Sequence, residues 1–158
     1  MLKYSSPRLR TINTELRDFD FYVESEFDIN LLEVDFNFKL LIKEKKILSI
    51  FLHLAVEYKI EDSDKSELFP IYHSDHLSEI PFAKTLKSIK NLDIDLAAHL
   101  LGTSIIMVKG YYDTITRGYI VNEYPLPVFN PTELILNKYA HAIQEDKIIM
   151  SKLSNKVS

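Results

Sequence analysis

The chain has no cysteine, no tryptophan and only three glycines in its 158 residues. Without cysteine there is no disulfide framework and no thiolate to act as nucleophile or metal ligand. The glycines, Gly102, Gly110 and Gly118, stand eight residues apart, a spacing that excludes a glycine-rich phosphate loop. GxSxG, HExxH and EF-hand patterns are missing too. No apolar run approaches the ~20 residues of a membrane helix; the longest, Ile47–Val56, is broken by Ser49 and His53. The first residues, MLKYSSPRLR, lack the apolar stretch of a secretory signal. A cytoplasmic protein without membrane insertion is therefore expected. Net charge is −4, and an acid excess argues against nucleic acid as a partner, because phosphate binding needs clustered Lys and Arg.

The acid is concentrated. Between Glu15 and Asp35 lie Glu15, Asp18, Asp20, Glu24, Glu26, Asp28, Glu33 and Asp35, against one base, Arg17. Such a window can be a solvated strand face or can steer a basic partner. Length points to one domain, residues 1–158, large enough to bury roughly 70% of its extended surface.

The first half has the period of a sheet. Val34, Phe36, Phe38, Leu40 and Ile42 alternate with Asp35, Asn37, Lys39 and Lys43, the pattern of a half-buried strand. Leu48, Ile50, Leu52, Leu54, Val56, Tyr58 and Ile60 continue it after the short link Glu44–Lys46, which predicts an antiparallel hairpin. A further strand is expected over Glu67–His73, with Pro70 at an edge or bulge. Arg17–Val23, aromatic and acidic, is the expected first strand.

The second half has helical spacing. Asp93–Thr116 carries Leu96, Leu100, Met107, Tyr111 and Ile115 on one stripe. Asp93 or Asp95 suits its start and Gly118 its stop. Gly102 and Gly110 inside it imply close approach of a neighbouring element, since each costs up to ~1 kcal/mol against alanine. A last helix opens at Asn130-Pro131-Thr132-Glu133, an N-cap, a first-turn proline and a capping-box glutamate, and extends to about Leu153. The expected fold is α+β, a four-stranded antiparallel sheet packed by two helices.

Between the helices lies the most informative stretch, RGYIVNEYPLPVFNPTEL, from Arg117 to Leu134. Pro125, Pro127 and Pro131 forbid a continuous helix, yet the stretch holds Tyr119, Ile120, Tyr124, Leu126, Val128 and Phe129. An extended, proline-stiffened apolar connector must either cover a core or offer a surface.

Sites for catalysis are weak. His73-Ser74-Asp75-His76 is the best metal candidate, but a site needs three or four convergent ligands. His53 and His99 have no nucleophile beside them in the sequence pattern. Asp18 and Asp20 on a strand would point to one face about 7 Å apart, without a cleft signature. No catalytic residue, metal or cofactor is expected.

Three segments in collinear order resemble the SecB family of export chaperones: Arg17-Asp18-Phe19-Asp20-Phe21, Ile115-Thr116-Arg117-Gly118 and Leu126-Pro127-Val128-Phe129-Asn130. The likeness covers about residues 15–150, with a shorter link between the first two strands than the family has. The resemblance implies a homotetramer, a dimer of dimers, that binds unfolded client polypeptides in an apolar groove without ATP. Phe36, Phe38, Tyr124, Leu126, Val128 and Phe129 would line that groove, and an acidic strand face with Asp18, Asp20 and Glu24 would contact a partner. The partners it implies are the translocase motor SecA or, in a divergent member, an antitoxin. Phe36 and Phe38 also fit ordinary core by their alternation. A non-catalytic module of the same fold, bound to one fixed partner, is the competing expectation.

Overall fold

The computed structural model describes residues 3–17, 28–62, 65–86 and 92–138. It is an α+β fold: four antiparallel strands, then a long helix, a connector and the start of a second helix. The strands are β1 (Arg8–Leu16), β2 (Leu32–Lys43), β3 (Ile47–Asp62) and β4 (Lys65–Pro81). They lie side by side in the order β1-β4-β3-β2. Helix α1 spans Ile94–Ile115, and α2 is described over 131–138. Among the described residues no helix is long and apolar enough to cross a membrane.

Strands β2 and β3 form because their alternation buries one face. Phe38 and Leu40 from β2, with Leu48, Ile50, Leu52, Leu54 and Val56 from β3, are buried on the α1 side. The hairpin between them turns at Glu44 and Lys45, both at positive φ (53° and 60°). A turn with two left-handed residues matches the twist of flanking strands, but neither side chain favours that conformation. The turn is braced from outside: Lys45 and Lys46 carbonyls accept the Leu86 and Phe82 amides at 2.5 and 2.7 Å.

Two expectations need correction. The first strand is Arg8–Leu16 and not Arg17–Val23, of which residues 18–23 lie outside the described residues. The true β1 is a polar edge strand whose period is broken by an extra residue between Thr11 and Asn13. Leu9 and Leu16 still reach the core side. Fifteen residues therefore separate β1 from β2, which stand at opposite edges of the sheet. The strand expected over Glu67–His73 also runs on to Pro81. Pro70 stands beside a bulge, with the register shifting between Val56 and Glu57. Its stretch of β4 lies past the last β1 partner, Tyr72, where β4 pairs with β3.

Helix α1 is capped as its sequence predicts. The Asp93 carboxylate accepts the Leu96 amide at 2.6 Å, and Gly118 leaves the helix at φ +89°. Leu100, Leu101, Ile105, Val108 and Tyr112 are buried against the sheet. Gly102 allows a close approach: an added Cβ would stand 3.1 Å from Cγ of Pro131 at the start of α2. Gly110 has nothing within 4 Å of such a Cβ, so close approach does not explain it. The α2 start is capped by the Asn130 side chain, which accepts the Glu133 amide at 3.2 Å. Its expected run to Leu153 lies beyond the described residues from 139 onward.

Polar groups between sheet and α1 are paired. His76, fully buried, contacts Thr11 Oγ1 through Nδ1 (3.0 Å) and Ser74 Oγ through Nε2 (2.8 Å). The Tyr72 hydroxyl donates to the same Ser74 (2.7 Å). Ser104 donates to Ser78 (2.9 Å), and Thr14 and Tyr111 share a 2.7 Å bond. Burial holds the His76 pKa below its ordinary 6.5, partly offset by Asp75. Burial pushes Tyr72 up to about 12, against the lowering bond to Ser74.

Candidate functional site: the connector and the β2 edge

After Gly118 the connector first turns inward. A short 3-10 turn, Ile120–Glu123, buries Val121 against the core. Asn122 pins this turn to the end of α1, its Nδ2 donating to the Asp113 carbonyl (3.2 Å) and Thr116 Oγ1 (2.9 Å). The three prolines then keep the chain extended up to Asn130. Along this stretch the side chains divide. Leu126 and Phe129 are half-buried against the core, Tyr124 is half-buried, and Pro125 and Pro127 are exposed. Val128 is 92% exposed.

The connector runs beside β2, so its apolar residues meet those of the sheet edge. The Phe129 ring lies 4.8 Å from that of Phe36, and Phe36 lies 6.3 Å from Phe38. Phe38 is buried at 3% exposure, whereas Phe36 is half-buried. The structure thus brings together Phe36, Phe38, Leu126 and Phe129 as one apolar cluster at the rim of the core, with Val128 projecting from it. The choice between cover and surface has a divided answer: Leu126 and Phe129 cover, and Val128 with the free sides of Phe36 and Phe129 is offered.

Two lysines border the cluster. Lys109 of α1 has its Nζ 5.7 Å from the Phe129 ring centre and donates to the Pro127 carbonyl at 3.4 Å. Lys138 of α2 sits 4.7 Å from the Phe38 ring centre and donates to Asn37 Oδ1 at 2.8 Å. Burial, and then the neighbouring Lys39, hold the Lys138 ammonium below its ordinary pKa. Asn37 Oδ1 also accepts the Phe38 amide at 2.9 Å. A side-chain oxygen that satisfies a backbone amide, held in turn by a lysine, blunts the β2 edge against chance strand pairing.

The remaining sequence candidates do not assemble into this site. Asp18, Asp20 and Glu24, the expected acidic partner face, lie outside the described residues. His73 and His76 face opposite sides of β4, as alternate positions after an odd step must. His76 is locked between Thr11 and Ser74, so the pair is not a metal site. His73 instead contacts Asn13 (3.2 Å), and His53 bonds Asp75 Oδ1 at 2.6 Å on the face away from α1. His99 is exposed on α1. Among the described residues no three His, Asp or Glu side chains converge as a metal site. The lysines bordering the aromatic cluster were not legible beforehand, because Lys138 reaches Phe38 only through tertiary packing.

No family model matches this chain, and no curated protein matches it. Among solved structures it is similar to a protein of unknown function from Streptococcus agalactiae, at 14% identity and a TM-score of 0.38. That match covers 82% of this chain and 96% of the other.

Proposed function

We propose that this chain is a SecB-like holdase, an ATP-independent chaperone that binds unfolded or partly folded polypeptides at the connector and β2 edge. It acts in protein export or in protecting a dedicated client such as an antitoxin, as a homotetramer, and needs no cofactor or covalent step. One observation carries the reading: an apolar connector that exposes Val128 at 92% beside half-buried Leu126, Phe129 and Phe36. A lone exposed valine would mean little, but Val128 adjoins the half-buried Phe129 and Phe36 rings, and contiguous apolar surface is what marks an interaction site. A client side chain laid there gains roughly 25 cal/mol per Å² buried, and several such weak contacts along one chain act together. The element order, four strands, helix, proline-rich connector and helix, also supports the resemblance found in the sequence.

A second reading has its own support. Phe38 is buried and Phe129 stacks on Phe36, so much of the expected groove lining already has partners. A narrow surface of this kind suits a non-catalytic module that binds one fixed partner. Suppression of aggregation of a reduced, unfolded test protein distinguishes the two. The holdase reading predicts suppression without nucleotide, cut several-fold by Val128→Asp. That exposed substitution should leave stability within about 0.5 kcal/mol of wild type. Wild type without any suppression would reject the holdase and retain the module.

A further inference from the structure

The sheet face turned away from α1 has an organisation of its own. Cross-strand pairing sets its outward side chains in rows. One row runs Arg10, Leu77, Phe51, Lys39 across all four strands. The next runs Arg8, Glu79, Ser49, Leu41, and a third begins at Pro81 and passes through Ile47 to Lys43. At this end the two central strands carry Leu77, Phe51, Pro81 and Ile47 around Glu79 and Ser49, and the edge strands carry bases on both sides, Arg8 directly opposite Glu79. Phe51 and Leu41 are 39% and 51% exposed, and Leu77 and Ile47 are half-buried.

Ser49 is 2% exposed and its hydroxyl has no hydrogen-bond partner, although no described helix covers this face. An orphaned buried hydroxyl is uncommon. The bases are free: Arg8, Arg10, Lys39 and Lys43 are exposed, and none joins an ion pair among the described residues. Lys45, Lys46 and Lys84 extend the positive charge at the same end. The other end of the face carries three acids, Glu33, Asp35 and Glu57, and one base, Lys59, on its outward positions. Charge thus confines a ligand to the basic end.

We propose that this basic, Phe51-centred end of the sheet face, which no helix covers among the described residues, docks an acidic amphipathic helix of a partner protein. The dimensions favour that occupant. Arg10 and Lys39 stand three strand spacings apart, roughly 14 Å, close to the about 10–12 Å diameter of a helix with its side chains. Lys39 to Lys43 spans roughly 13 Å along the strand, two to three helical turns. An apolar stripe on the helix meets Phe51, Leu77 and Ile47, while acids on its two flanks meet Arg8 and Arg10 on one side and Lys39 and Lys43 on the other. An extended peptide is too narrow to reach both rows of bases. A single nucleic-acid strand presents one row of phosphates, and this end offers a single ring, Phe51, for stacking. This surface adjoins the β2-edge cluster at Lys39, the neighbour of Lys138, but Phe51, Arg8 and Arg10 are not part of that cluster, and it stands whether or not that cluster holds clients.

The test uses the full chain and a stapled helical peptide of roughly 14 residues, leucines at i, i+3, i+4 and i+7 with glutamates on both flanks. Fluorescence anisotropy should show saturable binding, at least tenfold tighter than for the scrambled peptide or a lysine-flanked version. Phe51→Ser and the double variant Arg10→Glu/Lys39→Glu should each weaken it at least tenfold, and Phe51→Leu should restore most of it. Val128→Asp should leave it unchanged. Should the charge reversals fail to fold, Arg10→Gln/Lys39→Gln tests the same contacts at constant shape. The proposal is overturned by absence of binding, by binding insensitive to Phe51 and to both bases, by equal binding of oligothymidylate, or by a Phe51-dependent dimer of the chain itself.

Discussion

His76 shows how a single side chain sets a pH limit on this fold. It is fully buried between β1, β4 and the Tyr111 ring of α1, held neutral between Thr11 and Ser74. Among the described residues the charged neighbour that acts on it is Asp75, next in the chain and on the opposite face. Its folded-state pKa is lowered from 6.5, with burial as the main cause. The unfolded chain therefore binds a proton as pH falls through 6.5 while the folded chain does not. Stability rises with pH wherever the unfolded state holds more protons, so this group's contribution is full above 6.5 and is lost as pH falls toward the folded-state value. The urea midpoint should drop between about pH 7.5 and about pH 5.5. His76→Gln should flatten that dependence and cost about 1–3 kcal/mol at the higher pH, by disturbing the bonds to Thr11 and Ser74. An unchanged slope in the variant would place the acid sensitivity elsewhere.

Single elements show which parts of the fold were legible. β2 and β3 were, because a half-buried strand writes its period into every second residue, and their register keeps Phe38 opposite Leu52 as that alternation requires. The helix ends were legible through Asp93, Asn130 and Gly118, whose chemistry is local. β1 was not, because an edge strand needs few apolar residues and its bulge after Thr11 breaks the alternation. The aromatic acidic stretch beginning at Arg17 was more conspicuous and drew the strand assignment away. The connector was recognisable as special from its prolines. The stacking of Phe129 on Phe36 was not, since it depends on the sheet order placing β2 beside the connector. The two helical glycines separate a local cost from a tertiary reason. Gly110→Ala should stabilise by up to about 1 kcal/mol, the helix-propensity difference with no contact to oppose it. Gly102→Ala should gain less or destabilise, because its methyl would press on the Pro131 ring at 3.1 Å. Thermal melts of the pair check this, and equal shifts would show that Pro131 yields without cost.

At the scale of the whole molecule, the sheet has two unlike faces and the connector a third kind of surface. One face is filled by α1 and a paired polar network; the other carries, at one end, bases on both sides of Phe51, Leu77, Ile47 and Glu79. The connector closes the core at β2 yet leaves Val128 bare. The proposed client binding uses the connector, and the proposed partner helix uses the sheet face turned away from α1. The most direct test of the client-binding claim is mass by light scattering, with and without a reduced, unfolded client, for wild type and Val128→Asp. Val128 is preferable to Phe129 or Leu126 as the target, since those two also pack on the core. The account predicts a tetramer of 18.4 kDa chains that gains mass with client, and a variant that keeps the tetramer but not the client. A wild-type monomer whose mass is unchanged by unfolded chains would contradict it.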